Sequence, residues 1–159
     1  MDSNVKKKVL RQISYGMYVM TAKSGNEIGA GTVNWLSQAS FNPPLIMAAV
    51  KADSSVNAVL QKSGTFAINV VSASQKQLAE DFFRPTKVEG NKLSGHAFTA
   101  GGATGSPVLE EAYCHFECKV TDKIARGDHT VYVAEVTEVG QLRDEKPLEM
   151  WDTGWFYGG

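Results

Sequence analysis

Very little in this sequence is built for a charged surface or a membrane. Its 159 residues hold 16 Lys+Arg against 17 Asp+Glu, a formal net charge of -1. A balance this close to neutral argues against nucleic acid or anionic lipid as a partner. The one basic cluster, Lys6-Lys7-Lys8, has Val5, Val9 and Ile13 on its other side, so it reads as the solvated face of a short helix. Long apolar runs are missing as well. No window approaches the ~18 apolar residues of a membrane span. Arg11 and Gln12 interrupt any leader-like core, and cytoplasmic residence is the expectation.

Cysteine is also scarce. Cys114 and Cys118 lie in "AYCHFECKV", with His115 between them. Cys114, Phe116, Cys118 and Val120 alternate with Tyr113, His115, Glu117 and Lys119, the period of a strand. Four residues of strand span roughly 13 Å, whereas a disulfide needs Cα atoms within roughly 7 Å. The two therefore neither pair nor share an ion, and both read as small core residues. No metal site is expected. The three histidines, His96, His115 and His129, are scattered, with no H-E-x-x-H spacing. There is no G-x-S-x-G elbow, no G-x-x-x-x-G-K-[ST] and no G-x-G-x-x-G, and "GGATGS" reads as a flexible loop. Esterase, Walker-type and dinucleotide-fold readings lose their support.

What is present is a series of apolar segments separated by turns. Residues 3–13 predict a helix, Tyr15–Ala22 a strand and "KSGNE" a turn. Residues 27–40 predict a second strand, in which Gly29 and Gly31 suggest a bend or close backbone approach. "PPLIMAAVK" predicts a strand buried on both faces. "SSVNAVLQKS" predicts a helix with Asp53 or Ser54 as N-cap and Gly64 as its stop. "TFAINVV" is a further strand, and "SQKQLAEDFF" a helix with Ser74 and Gln77 as a capping box. Residues 84–107 read as irregular, followed by a long hairpin through "ARGDH" and the aromatic tail "EMWDTGWFYGG". The class is mainly β, one domain over residues 1–159: an antiparallel barrel of about six or seven strands with two or three short peripheral helices.

Two features suggest chemistry. In "KADSSVNAV", Ser54 and Ser55 start a helix and Lys51 lies just upstream, a combination suited to an anion; simple capping by Ser54 is the competing explanation. In "GTVNWLSQASFNPPL", Thr32, Asn34, Ser37, Gln38, Ala39 and Ser40 form a small, polar wall beside Trp35. Such a wall lets backbone groups reach a planar heteroaromatic ligand, and a bulged strand edge is the alternative. Here Pro43–Pro44 reads as a rigid corner.

Taken in order, "GTVNWLSQASFNPPLIMAAVKADSSVNAV", "SGTFAINV" and "RGDHTVYVAEV" resemble the flavin reductase-like proteins, whose fold is an FMN-binding split β-barrel. The resemblance covers roughly residues 9–157 and implies FMN, less often FAD, in the groove of a homodimer, with NADH or NADPH as hydride donor. It implies that Thr32, Val33, Asn34, Trp35, Ser37, Gln38, Ala39 and Ser40 line the isoalloxazine. Lys51, Ser54 and Ser55 would hold the phosphate, with Asn57 nearby. Gly127, Asp128 and His129 would lie where nicotinamide stacks, and Phe82, Phe83 and Arg84 near the cofactor. Trp35 departs from the family, in which a small residue or Ser is common. The implied activity is NAD(P)H:flavin oxidoreduction. Two alternatives stand beside it: an FMN electron carrier serving a separate redox protein, and an interaction module without flavin.

Overall fold

The computed structural model describes residues 1–140 and 142–159. Its elements in chain order are α1 (Ser3–Leu10), β1 (Tyr18–Ser24), β2 (Glu27–Val33), β3 (Leu36–Ser40), β4 (Leu45–Lys51), α2 (Ser55–Ser63) and β5 (Thr65–Val70). Then come α3 (Lys76–Asp81), β6 (Val88–Glu89), β7 (Lys92–Leu93), β8 (His96–Ala100), β9 (Pro107–Leu109), β10 (Cys114–Arg126), β11 (His129–Gly140) and α4 (Met150–Thr153). Seven strands form one antiparallel sheet in the order β2-β1-β5-β10-β11-β4-β3, and β6 to β9 form a small second sheet.

The curl of the large sheet follows from one connection. Strands β2 and β3 stand at opposite edges, yet only Asn34 and Trp35 separate them. Three Cα steps span at most about 11 Å, so the two edges must come together there. The result is a barrel with a seam at Asn34–Trp35, the split antiparallel barrel expected. The predicted strand over 27–40 is thus two strands. Val33 ends its pairing opposite Tyr18, and Leu36 begins a new ladder opposite Ala48.

The barrel interior holds Met20, Ile46, Val50, Phe66, Ile68 and Tyr132. Helix α2 plugs one end, burying Val56, Asn57, Val59 and Leu60. Ser54 caps it, its hydroxyl accepting the Asn57 N–H at 3.2 Å, and Gly64 ends it with φ +66. Gly29 admits this helix: a Cβ there would lie 2.8 Å from both Ser55 O and Val56 Cα. A second apolar cluster outside the barrel, including Val19, Leu78, Phe82 and Leu109, seats α3 and the small sheet.

Several sequence expectations need correction. Strand β4 is buried on one face only: Ile46, Ala48 and Val50 point inward, while Met47 stays exposed. A single curled sheet covers only its inner side, so an unbroken apolar run does not require two buried faces. Helix α1 ends at Leu10, and the first strand starts at Tyr18. Helix α3 starts at Lys76 without a side-chain cap, because the Ser74 hydroxyl turns to Glu145 and Ser72 instead. Residues 84–107 contain β6, β7 and β8 and the start of β9, too short for a clear period in sequence. Cys114 and Cys118 face the core as expected, with Cys118 fully buried and its thiol pushed up to about 12 by burial. Among the described residues no helix is long and apolar enough to cross a membrane.

Glu117, on the outer face of β10, is fully buried beneath the 101–106 loop. Its carboxylate accepts the Thr104 hydroxyl at 2.5 Å, the Thr104 N–H at 2.7 Å and the Ala103 N–H at 3.3 Å. Burial pushes its pKa up, but the Thr104 and Ala103 donors outweigh that and hold it below the usual value. A depressed carboxylate contributes stability above the unfolded pKa, ~4.3, and loses it as pH falls through the lower folded value. Glu117→Gln is therefore expected to cost about 1–3 kcal/mol at neutral pH. Denaturant titrations at pH 7 and at acidic pH should show the gap narrowing in acid.

Candidate functional site

A cleft of about 940 Å³ opens along the seam, at the upper end of the range for small-molecule sites. The end of β2 supplies Thr32, Val33 and Asn34, and the end of β4 supplies Val50 and Lys51. The start of α2 contributes Ser54 and Ser55, the segment after α3 contributes Phe83 and Arg84, and His129 enters from β11. Trp155, Phe156 and Tyr157 of the C-terminal tail complete the lining.

Each wall is held from behind. The Thr32 hydroxyl donates to Ala79 O at 2.6 Å, and its N–H donates to Phe82 O at 3.3 Å, tying β2 to α3. The Asn34 amide meets Met150 Sδ at 3.1 Å. Phe83 packs edge-on against Trp155 at 4.8 Å between centroids, and Lys76 sits over the same indole at 4.8 Å.

One end of the cleft suits an anion. The first N–H groups of α2 have no carbonyl one turn back within the helix, and the helix dipole places partial positive charge there. The Ser55 hydroxyl is beside them. Ser54 is more committed, since its hydroxyl donates to Lys51 O at 2.8 Å while accepting from Asn57. Lys51 is exposed and pairs with Asp53 at 3.1 Å, and that hydrogen bond raises its pKa. Asn57 does not reach the cleft. It is fully buried, its amide donating to Ala52 O at 2.9 Å and its carbonyl accepting the Tyr132 hydroxyl at 2.6 Å. It braces the helix start from inside.

The other end is aromatic. His129 Nδ1 lies 2.7 Å from Asp128 Oδ1, and Nε2 lies 2.9 Å from the Tyr157 hydroxyl. Trp35 packs behind both rings, with centroids 4.5 Å from His129 and 5.4 Å from Tyr157. It backs the wall rather than facing the cleft. The His129 N–H holds the exposed Asp128 carboxyl below its usual pKa. Burial raises the Tyr157 pKa, with Lys51 pulling the other way.

The remaining expected wall residues fall elsewhere. Ser37, Gln38 and Ala39 are exposed on β3, with Ser40 at its end, and none of the four lines the cleft. Their polar groups are spent locally, Ser37 Oγ donating to Gln38 O at 3.2 Å and Gln38 Nε2 to Ser40 O at 3.4 Å. The seam explains this: the chain crosses from one edge of the sheet to the other at Asn34–Trp35, so residues beyond it leave the wall. The corner at Pro43–Pro44 is a turn with a cis Asn42–Pro43 bond. In sequence the tail is no more than an aromatic-rich stretch with no stated place in the site. Its signal was the terminal Gly158–Gly159 beside four aromatics.

The chain matches the family model described as "Flavin reductase like domain" over residues 10–158. An NADPH-flavin oxidoreductase of Streptomyces viridifaciens is 32% identical over 140 residues, covering 87% of this chain and 72% of that protein. The chain belongs to the flavin reductase like family. Diflavin flavoprotein A 1 of Synechocystis sp. is 32% identical over 137 residues, but these are 86% of this chain and 24% of that protein. The chain thus spans about a quarter of the diflavin flavoproteins it matches. In fold it is similar to the NADH:FAD oxidoreductase SgcE6 of Streptomyces globisporus, with TM-score 0.81 at 24% identity over 100% of this chain and 96% of that one. BorF, the flavin reductase component of a bacterial two-component tryptophan halogenase, gives TM-score 0.81 at 25% identity over 99% and 98%.

The two serines should separate by experiment. Ser54→Ala removes the cap and should cost about 1 kcal/mol, lowering Tm by about 2–4 °C. Ser55→Ala should leave Tm nearly unchanged and weaken binding of a phosphorylated ligand. Thermal melts of the two variants, with anion titrations, check this.

Proposed function

We propose that the chain is an NAD(P)H:flavin oxidoreductase that binds FMN in the seam cleft. The observation that carries this is the pairing, in one cleft, of an open helix start beside Lys51 with the His129–Tyr157–Trp35 aromatic end. The donor set fits a phosphorylated flavin. Ser55, Lys51 and the first N–H groups of α2 make one compact anion site suited to the phosphate of FMN. Phe83 and Phe156, both exposed, supply apolar surface for a planar ring. A bound flavin supplies the two-electron acceptor for the hydride of a reduced nicotinamide. The protein's part is placement: the seam walls hold one planar ring, and the His129 end leaves a flat surface for the second. Stacking the two rings replaces a bimolecular search by a near-attack geometry.

A homodimer is part of the proposal. Met47 on the outer face of β4, Phe41 in the adjoining turn and Val139 on β11 are exposed apolar side chains suited to a second copy. A second reading, an FMN electron carrier, draws support from the diflavin flavoproteins, in which a matching segment makes up only 24% of a longer protein.

Purified protein mixed with FMN and FAD should retain FMN the more tightly and turn yellow. Anaerobic NADH or NADPH should bleach it, and sedimentation should show a dimer. A protein that binds neither flavin ends both readings, whereas a yellow protein that neither nucleotide bleaches selects the carrier. His129→Ala should raise the apparent KM for the nicotinamide about tenfold, the loss expected when the aromatic surface that would pack against it is removed.

A further inference from the structure

Resting on that reading, we infer that the C-terminal segment Phe156–Gly159 is a working part of the site and that Tyr157 is the positioning residue that, opposite Asp128, fixes the ring orientation of His129. The Asp128 carboxylate can only accept, so the bond at 2.7 Å places the imidazole proton on Nδ1. With the ring neutral, Nε2 is then the acceptor, and the Tyr157 O–H, 2.9 Å away, is the donor that matches it. Both ring nitrogens are engaged, and the side chain is only 11% exposed. Trp35 packs against the ring, so turning it would break both hydrogen bonds and this contact.

The tail is built to keep Tyr157 in this place. Gly158 has φ +87, a conformation that favours glycine, and a Cβ there would lie 2.8 Å from Trp35 Cζ2. Gly159 has φ +91, and its Cβ would lie 2.7 Å from Lys7 O. Arg11 binds the same segment twice, its Nε donating to Gly158 O at 3.3 Å and its guanidinium lying 4.9 Å from the Phe156 ring centroid. The two glycines thus thread between Trp35 and α1, and the hydroxyl of Tyr157 arrives at Nε2. Lys51 and Asp53 are the other charged groups facing Tyr157, and burial keeps its phenol protonated as a donor.

The test uses Tyr157→Phe, with Gly158→Ala as a second variant that keeps the hydroxyl but displaces the tail. Nitrogen-15 NMR of the imidazoles, without flavin, should show the His129 Nε2 signal shifted in both variants, as the Tyr157 hydrogen bond is lost, while Nδ1 keeps its proton, donated to Asp128. With FMN loaded, KM for NADH or NADPH should rise about three- to tenfold, as for one lost hydrogen bond, with kcat within about twofold. An unshifted Nε2 signal and unchanged KM in Tyr157→Phe overturn the inference, as does an effect of Gly158→Ala alone. If the parent binds FMN but neither nucleotide bleaches it, the oxidoreductase reading fails. The Nε2 signal still decides whether Tyr157 holds His129.

Discussion

The structure depends on a two-residue crossing. Asn34 and Trp35 join strands at opposite edges of a seven-stranded sheet, and a link that short leaves the sheet no choice but to curl. The curl encloses one core, and the seam it leaves is where backbone, helix start and tail meet. A flat sheet of the same strands would place Thr32 and Lys51 far apart. Gly29 adds the second condition, because without a Cβ it lets α2 press onto β2 and brings Ser54 and Ser55 to the mouth of the seam.

Inside the cleft, most polar groups are already spoken for. Thr32 is tied to Ala79 and Phe82, Asn34 to Met150, and Ser54 to its own helix. Such groups are fixed before any ligand arrives, so they lend rigidity and little direct affinity. The groups left to meet a ligand are fewer: Ser55, Lys51 after release from Asp53, the first N–H groups of α2, and Arg84. This division separates frame from contact more sharply than residue type alone.

Much of this was legible in the chain. Capped helix α2, its Gly64 stop and the inward set of β10 carry local signals that tertiary packing does not override. The broken strand at 27–40 was not legible, because the seam is a property of the whole sheet order and Thr32 to Ser40 reads as one extended run. Ser37 to Ser40 belonged to a suggestive motif, but the motif does not say on which side of the seam they fall. The outer face of β4 misled for a related reason: apolar composition reports burial of some kind, not whether the cover is this chain or another surface. The short strands β6 to β9 are too brief to show a period.

Trp35 joins these points. In sequence it was an oversized letter in a stretch of small ones. In the structure it stands at the seam, behind His129 and Tyr157 and against Gly158. A small residue there would leave a hole behind His129, and the tail would have nothing flat to rest on. The large ring and the two terminal glycines are therefore complementary: the indole fills the space that a curled sheet leaves at its crossing, and glycine is the residue type that can pass over it. The geometry of the aromatic end thus traces back to the same two residues that force the sheet to curl.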